Sequence, residues 1–189
     1  MQWPPAFCRL KQSKCVKSPA SQFKIHGLWP QNKTDPQPRK CSSDSKVTNF
    51  KKKMLSLTTR TELATSWPNL KGMDEVFWKQ EWLLHGTCSY STFNQTQYFD
   101  AANNIWKALP IFDILHDEQI FPSNIDFQKR DLIKDAINNH IQVVVELEFS
   151  CTFYPTELIE IKVCKDHAGN AYEDCPNLGN CGSTFKWKP

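Results

Sequence analysis

The chain has 189 residues, 40% of them hydrophobic, and a formal net charge of +3. That length buries roughly 70% of the unfolded surface, enough for one core, so a single domain over residues 1–189 is expected. No run approaches the ~18 uninterrupted apolar residues of a membrane span, and Met1-Gln2-Trp3-Pro4-Pro5 lacks the basic-then-apolar layout of a secretion signal. No membrane partner is expected, and the chain reads as one whose signal has been removed.

Eight cysteines stand at positions 8, 15, 41, 88, 151, 164, 175 and 181. Their spacing does not suit zinc: there is no Cys-x-x-Cys, and the five histidines are scattered. An even number of cysteines without metal spacing points to four disulfides and an oxidising, extracellular compartment. Eight cysteines allow 105 pairings, so connectivity is not derivable from this count. Asn32-Lys33-Thr34 and Asn94-Gln95-Thr96 are N-glycosylation acceptors, as the same compartment would use. A pI of about 8.4 favours a polyanionic partner without demanding one.

The first forty residues carry Pro4, Pro5, Pro19, Pro30, Pro36 and Pro38, which break regular structure into short strands and loops. Phe23-Lys24-Ile25-His26 alternates as a strand does and stops at Gly27, leaving His26 at a strand end. From residue 45, Val47, Phe50, Met54 and Leu57 recur at spacings of 3, 4 and 3 and predict a helix. Lys46, Lys51, Lys52, Lys53 and Arg60 read as its solvated basic face. Trp67-Pro68 closes that region. Asp74 is the predicted N-cap of a second helix carrying Val76, Phe77, Trp78, Glu81, Trp82 and His85, which Gly86 would end.

Residues 95–108 and 128–141 read as two further helices. Residues 142–149 alternate Val143, Val145, Leu147 and Phe149 against Gln142, Val144, Glu146 and Glu148, the pattern of a half-buried antiparallel strand. Residues 158–163 repeat it, and 185–187 pair last. The predicted class is α+β, a central antiparallel sheet packed against several helices.

Histidine moves protons best near neutral pH, so a pair held across a pocket suits general acid and base work. His26 lies where a strand breaks open beside Trp29. Glu81 and His85 are four residues apart, so on a helix they project from one face, and the carboxylate would orient the imidazole or raise its pKa. On residue types alone a packed structural histidine and a surface Glu–His pair explain these positions as readily.

The segments from Phe23 to Pro30 and from Trp78 to Cys88 resemble the two signature motifs of the T2 ribonucleases, the secreted family that includes plant self-incompatibility ribonucleases. Motif order, the Trp3-Pro4-Pro5 start, cysteine layout and length agree, so the resemblance covers nearly the whole chain. It implies metal-independent, cofactor-free cleavage of single-stranded RNA, by attack of the ribose 2′-hydroxyl on phosphorus to give a 2′,3′-cyclic phosphate. By resemblance His85 is the base, His26 the acid, and Glu81 supports the phosphate transition state. Trp29 borders one base site, and Gln2, Asn69 and Phe77 match positions near the other. It suggests pairing Cys8 with Cys15, Cys41 with Cys88, Cys151 with Cys181 and Cys164 with Cys175.

The chain departs from the family pattern at two helix positions. Gln80 stands where relatives carry a histidine, and its amide can still donate to a phosphate oxygen. Leu84 stands where they carry a lysine, and it can neither donate nor offset charge. Relatives also begin several residues earlier with a first strand, which is nearly absent here. The resemblance implies a monomeric secreted endoribonuclease, with a weakened or inactive recognition or storage protein as the alternative. The basic pI leans toward a pistil self-incompatibility enzyme, whose pollen-side protein partner would read residues 42–71.

Overall fold

A computed structural model describes residues 1–32, 36–153 and 156–189. In chain order the helices are α1 (Pro4–Arg9), α2 (Ser45–Thr48), α3 (Leu57–Ser66), α4 (Asp74–Leu84), α5 (Gln95–Ala108), α6 (Ile111–Asp117) and α7 (Arg130–Ile141). Short 3-10 turns occupy Lys52–Met54 and Gly86–Ser89. The strands are β1 (Phe127–Lys129), β2 (Glu148–Cys151), β3 (Leu158–Lys162), β4 (Cys164–Lys165), β5 (Tyr172–Glu173) and β6 (Thr184–Lys186). The class is α+β, with four disulfides joining Cys8 to Cys15, Cys41 to Cys88, Cys151 to Cys181 and Cys164 to Cys175.

These elements fall into two compact units. The first comprises Met1–Lys24 and Leu109–Pro189 and holds every strand. Its antiparallel ladders are β1–β6, β2–β3 and β4–β5, and a single bridge from Glu157 to Lys186 joins the β3 region to β6. In β2–β3, Glu148 stands opposite Lys162 and the two form an ion pair, while the alternate Phe149–Ile161 pair faces the core. Trp3, Phe149, Phe185 and Trp187 are fully buried there with Ile133, Ile137 and Leu147 from α7 and the approach to β2. Full burial of each large apolar side chain is worth about 1.5–3 kcal/mol, which is why the alternating residues choose these faces. The backbone of Gln2 bridges both Lys24 and Glu160.

The second unit, Ile25–Ala108, is helical. Leu63 and Trp67 of the α3 region, Trp78 and Trp82 of α4, and Tyr98, Phe99 and Ala102 of α5 form its buried interior. Cys41–Cys88 spans 47 residues within it, and closing a loop of that size removes about 4 kcal/mol of unfolded-chain entropy in the loop-closure account.

Four expectations change. The helix predicted from residue 45 is broken into α2, a 3-10 turn and α3, because Asn49, Lys51 and Leu55 adopt extended backbone; Met54 and Leu57 of its supposed apolar stripe are exposed. Asp74 is not the N-cap of α4 but its first residue, and its carboxylate accepts from the backbone N–H of Asn69. The strand predicted over 142–149 pairs only from Glu148, since Gln142 turns the chain at φ +57° and Val143 and Val144 lie exposed. The Phe23–His26 strand reduces to one bridge at Lys24, because Ile25 donates instead to the carbonyl of Ser66.

Candidate active site

The segment following Ile25 has no ladder of its own, and side chains from three helical regions fix its course. The indole N–H of Trp67 donates to the carbonyl of His26 at 2.9 Å, and the Tyr98 hydroxyl donates to the carbonyl of Leu28 at 2.7 Å. Tyr98 is completely buried, and burial with the nearby Glu81 charge pushes its phenol pKa well up, so it remains a donor. Trp78 in turn donates to the carbonyl of Trp67 at 2.8 Å. The two sequence motifs are thus tied together by buried aromatic donors.

At the centre stands Trp29. Its indole N–H donates to Oε2 of Glu81 at 2.9 Å, and Glu81 is only 4% exposed. Its ring lies 4.8 Å from the His26 imidazole, edge-on, and 5.3 Å from the His85 imidazole. Phe77 lies 6.2 Å from His26. Gly27 makes this arrangement possible: a Cβ there would stand 2.0 Å from the Trp29 indole nitrogen and 2.4 Å from Glu81 Oε2.

His85 is 3% exposed, and its Nδ1 has no hydrogen-bond partner among the described residues. Burial first, and then the positive charges of Arg39 and His26, hold its pKa down to about 4. The expected Glu81-driven rise is therefore reversed. α4 ends at Leu84, and His85 is its C-cap at φ −125°, its backbone N–H still donating to the Glu81 carbonyl at 2.9 Å. The turn that follows is tightly packed, since a Cβ at Gly86 would lie 2.2 Å from the Trp82 ring.

The remaining predicted positions divide. Gln80 lies on the exposed side of α4. Asn69 uses its side chain to close the turn before α4, donating to the Met73 carbonyl and accepting from Lys71 N–H, each at 2.9 Å. Gln2 belongs to the first unit. Asn94 is exposed and caps α5, its Oδ1 accepting from Gln97 N–H while Gln97 reciprocates. Asn32 is exposed, but Lys33 and Thr34 of its triplet lie outside the described residues. Sequence reasoning missed Arg39, which sits in a proline-rich loop without periodic pattern and whose charge nevertheless reaches His85.

Two imidazoles, one indole and one buried carboxylate are gathered in one unit of a disulfide-stapled α+β chain. Comparison with known proteins gives the family. Residues 1–175 match the Ribonuclease T2 family, and this chain belongs to it. It is 32% identical over 179 residues to a ribonuclease-like storage protein of Panax ginseng, covering 93% of this chain and 73% of that one. It is 33% identical over 184 residues to ribonuclease S-3 of Pyrus pyrifolia, covering 93% and 79%. Among solved structures, RNase MC1 from bitter gourd seeds superposes with a TM-score of 0.86 at 30% identity, covering 98% of this chain and 95% of that one. A mutant of that enzyme has been solved in complex with 5′-GMP.

Proposed function

We propose that this chain is a secreted endoribonuclease that cleaves single-stranded RNA by transphosphorylation, and that its 189 residues act as one ribonuclease domain. The observation that carries the reading is the placement of His26 and His85 against the same indole, at 4.8 and 5.3 Å, within reach of one phosphodiester. His85, kept neutral by its pKa of about 4, takes the proton of the 2′-hydroxyl. Binding an anionic phosphate beside it raises its proton affinity toward the working range. The alkoxide attacks phosphorus, the P–O5′ bond breaks, and His26 returns a proton to the departing 5′-oxygen. Products are a 2′,3′-cyclic phosphate and a 5′-hydroxyl.

Glu81, fixed by the Trp29 indole, offsets the positive charge that forms on the imidazoles. RNA supplies the nucleophile, so neither metal nor cofactor is required, and DNA is not a substrate. Trp29 and Phe77 offer aromatic surfaces for bases, each such stack worth about 1–3 kcal/mol, with Asn69 and Gln80 as further contacts. Four disulfides and the exposed glycan acceptor at Asn94 suit secretion.

The test is cleavage of a dinucleotide and of polymeric RNA by the purified chain, with H26A and H85A as blanks and a deoxy analogue as control. Cyclic phosphate formed by wild type alone is expected; activity indifferent to both histidines would sink the mechanism. Leu84 and the likeness to a storage protein favour a second reading, a recognition or storage role without catalysis, which a folded but inert wild type would establish. Within the enzyme reading, likeness to ribonuclease S-3 and the basic pI support a pistil self-incompatibility role, with residues 42–71 facing a pollen-side protein. Expression confined to the pistil is expected, and induction in starved leaves would exclude it.

A further inference from the structure

The site as assembled carries a charge deficit. Its substrate is a phosphodiester, and the transition state adds negative charge at phosphorus. The helix that supplies Glu81 ends in half-buried Leu84, directly before His85, and Leu84 offers no donor. Lys79 on the same helix is exposed and separated from His85 by more than one turn. Another part of the unit must supply a cation.

The loop ending at Cys41 is held against this corner from two directions. Cys41 is bonded to Cys88, three residues beyond His85, with Cα atoms 4.8 Å apart. Lys40 donates its backbone N–H to the carbonyl of Leu84 at 2.9 Å. Lys40 adopts the left-handed region at φ +52°, an unfavourable conformation for a lysine, which the two anchors hold in place. Arg39 immediately precedes these two anchored residues. It is exposed and forms no ion pair among the described residues, and its charge acts on His85. A guanidinium without an ion-pair partner among the described residues, on a loop anchored to the end of α4, suits bidentate capture of phosphate oxygens.

We propose that Arg39 is the phosphate-binding cation of this site, contacting the scissile phosphate from the loop at the position where Leu84 of the helix cannot. The proposal rests on the ribonuclease reading for its catalytic part and stands apart from it for its binding part. Two measurements separate them: RNA cleavage, and calorimetric titration with inorganic phosphate, which needs no turnover. The variants are Arg39→Gln, Arg39→Lys and, as a control for loss of one surface charge, Lys79→Gln.

For Arg39→Gln, kcat/KM is expected to fall about 100-fold and phosphate affinity about tenfold or more, with Lys79→Gln near wild type and Arg39→Lys between. The acid limb of the pH–rate profile should also move upward in Arg39→Gln. With Arg39 gone, burial and the His26 charge remain, and His85 protonates more readily. A merely structural arginine would leave that limb in place. Wild-type phosphate affinity and cleavage in Arg39→Gln would overturn the proposal. A wild type that binds phosphate through Arg39 yet cleaves no RNA would overturn the ribonuclease reading and leave Arg39 as an anion site.

Discussion

Acidification should destabilise this fold through His85, by an amount that can be isolated. The imidazole is 3% exposed with an unpartnered Nδ1, and its pKa drops from 6.5 to about 4. Between those values the unfolded chain holds a proton that the folded chain rejects, so stability is fully present above pH 6.5 and is lost as pH falls through about 4. At 1.36 kcal/mol per pH unit, that interval amounts to up to about 3 kcal/mol. Carboxylates titrate over the same range, so the measurement is a difference: urea unfolding of wild type and of His85→Gln at pH 7, 6, 5 and 4. The wild-type advantage should shrink by about 3 kcal/mol from pH 7 to 4, and the His85 ring proton followed by NMR should titrate near 4. A pH-independent difference, or an NMR midpoint at 6.5 or above, would refute the argument that burial and the Arg39 and His26 charges keep this ring neutral.

Two further outcomes follow from the packing around the site. Tyr98→Phe removes the donor to the Leu28 carbonyl; leaving that carbonyl unsatisfied should cost about 1–3 kcal/mol by urea unfolding, and catalysis should fall too because Leu28 lies between His26 and Trp29. Unchanged stability and rate would show that this bond does not hold the segment. Gly86→Ala drives a methyl to within 2.2 Å of the buried Trp82 ring, and thermal unfolding should report a loss of about 1–3 kcal/mol; a neutral substitution would mean the turn relaxes freely.

Legibility in the sequence tracks how local each determinant is. α5 carries its own cap and apolar face over residues 95–108, and its bounds are those its sequence predicts. β1 is legible only through its partner: Phe127 and Lys129 are exposed, and the strand exists because β6 pairs with it from some 57 residues away. α6 is seven residues long and starts behind Pro110, too short for a periodic signal to emerge from 109–117. His85 shows the same divide at the site. Its spacing from Glu81 and the helix stop at Gly86 were readable, but its burial and the packing of the Trp82 ring over Gly86 are contacts that spacing does not encode. Arg39 was invisible for a related reason, since only a disulfide and one backbone bond carry it to His85.

The absent side chain at position 27 has a consequence for how this scaffold can diversify. Any larger residue there would have to displace either the Trp29 indole or the Glu81 carboxylate, so divergence by steps through that position passes through a dismantled site. The lysine-bearing stretch from Ser45 to Met54, by contrast, is largely solvent-facing and accepts new side chains at little cost. Tight packing and open surface are thus allotted to different residues of one unit, and new surfaces can arise on the one without disturbing the other.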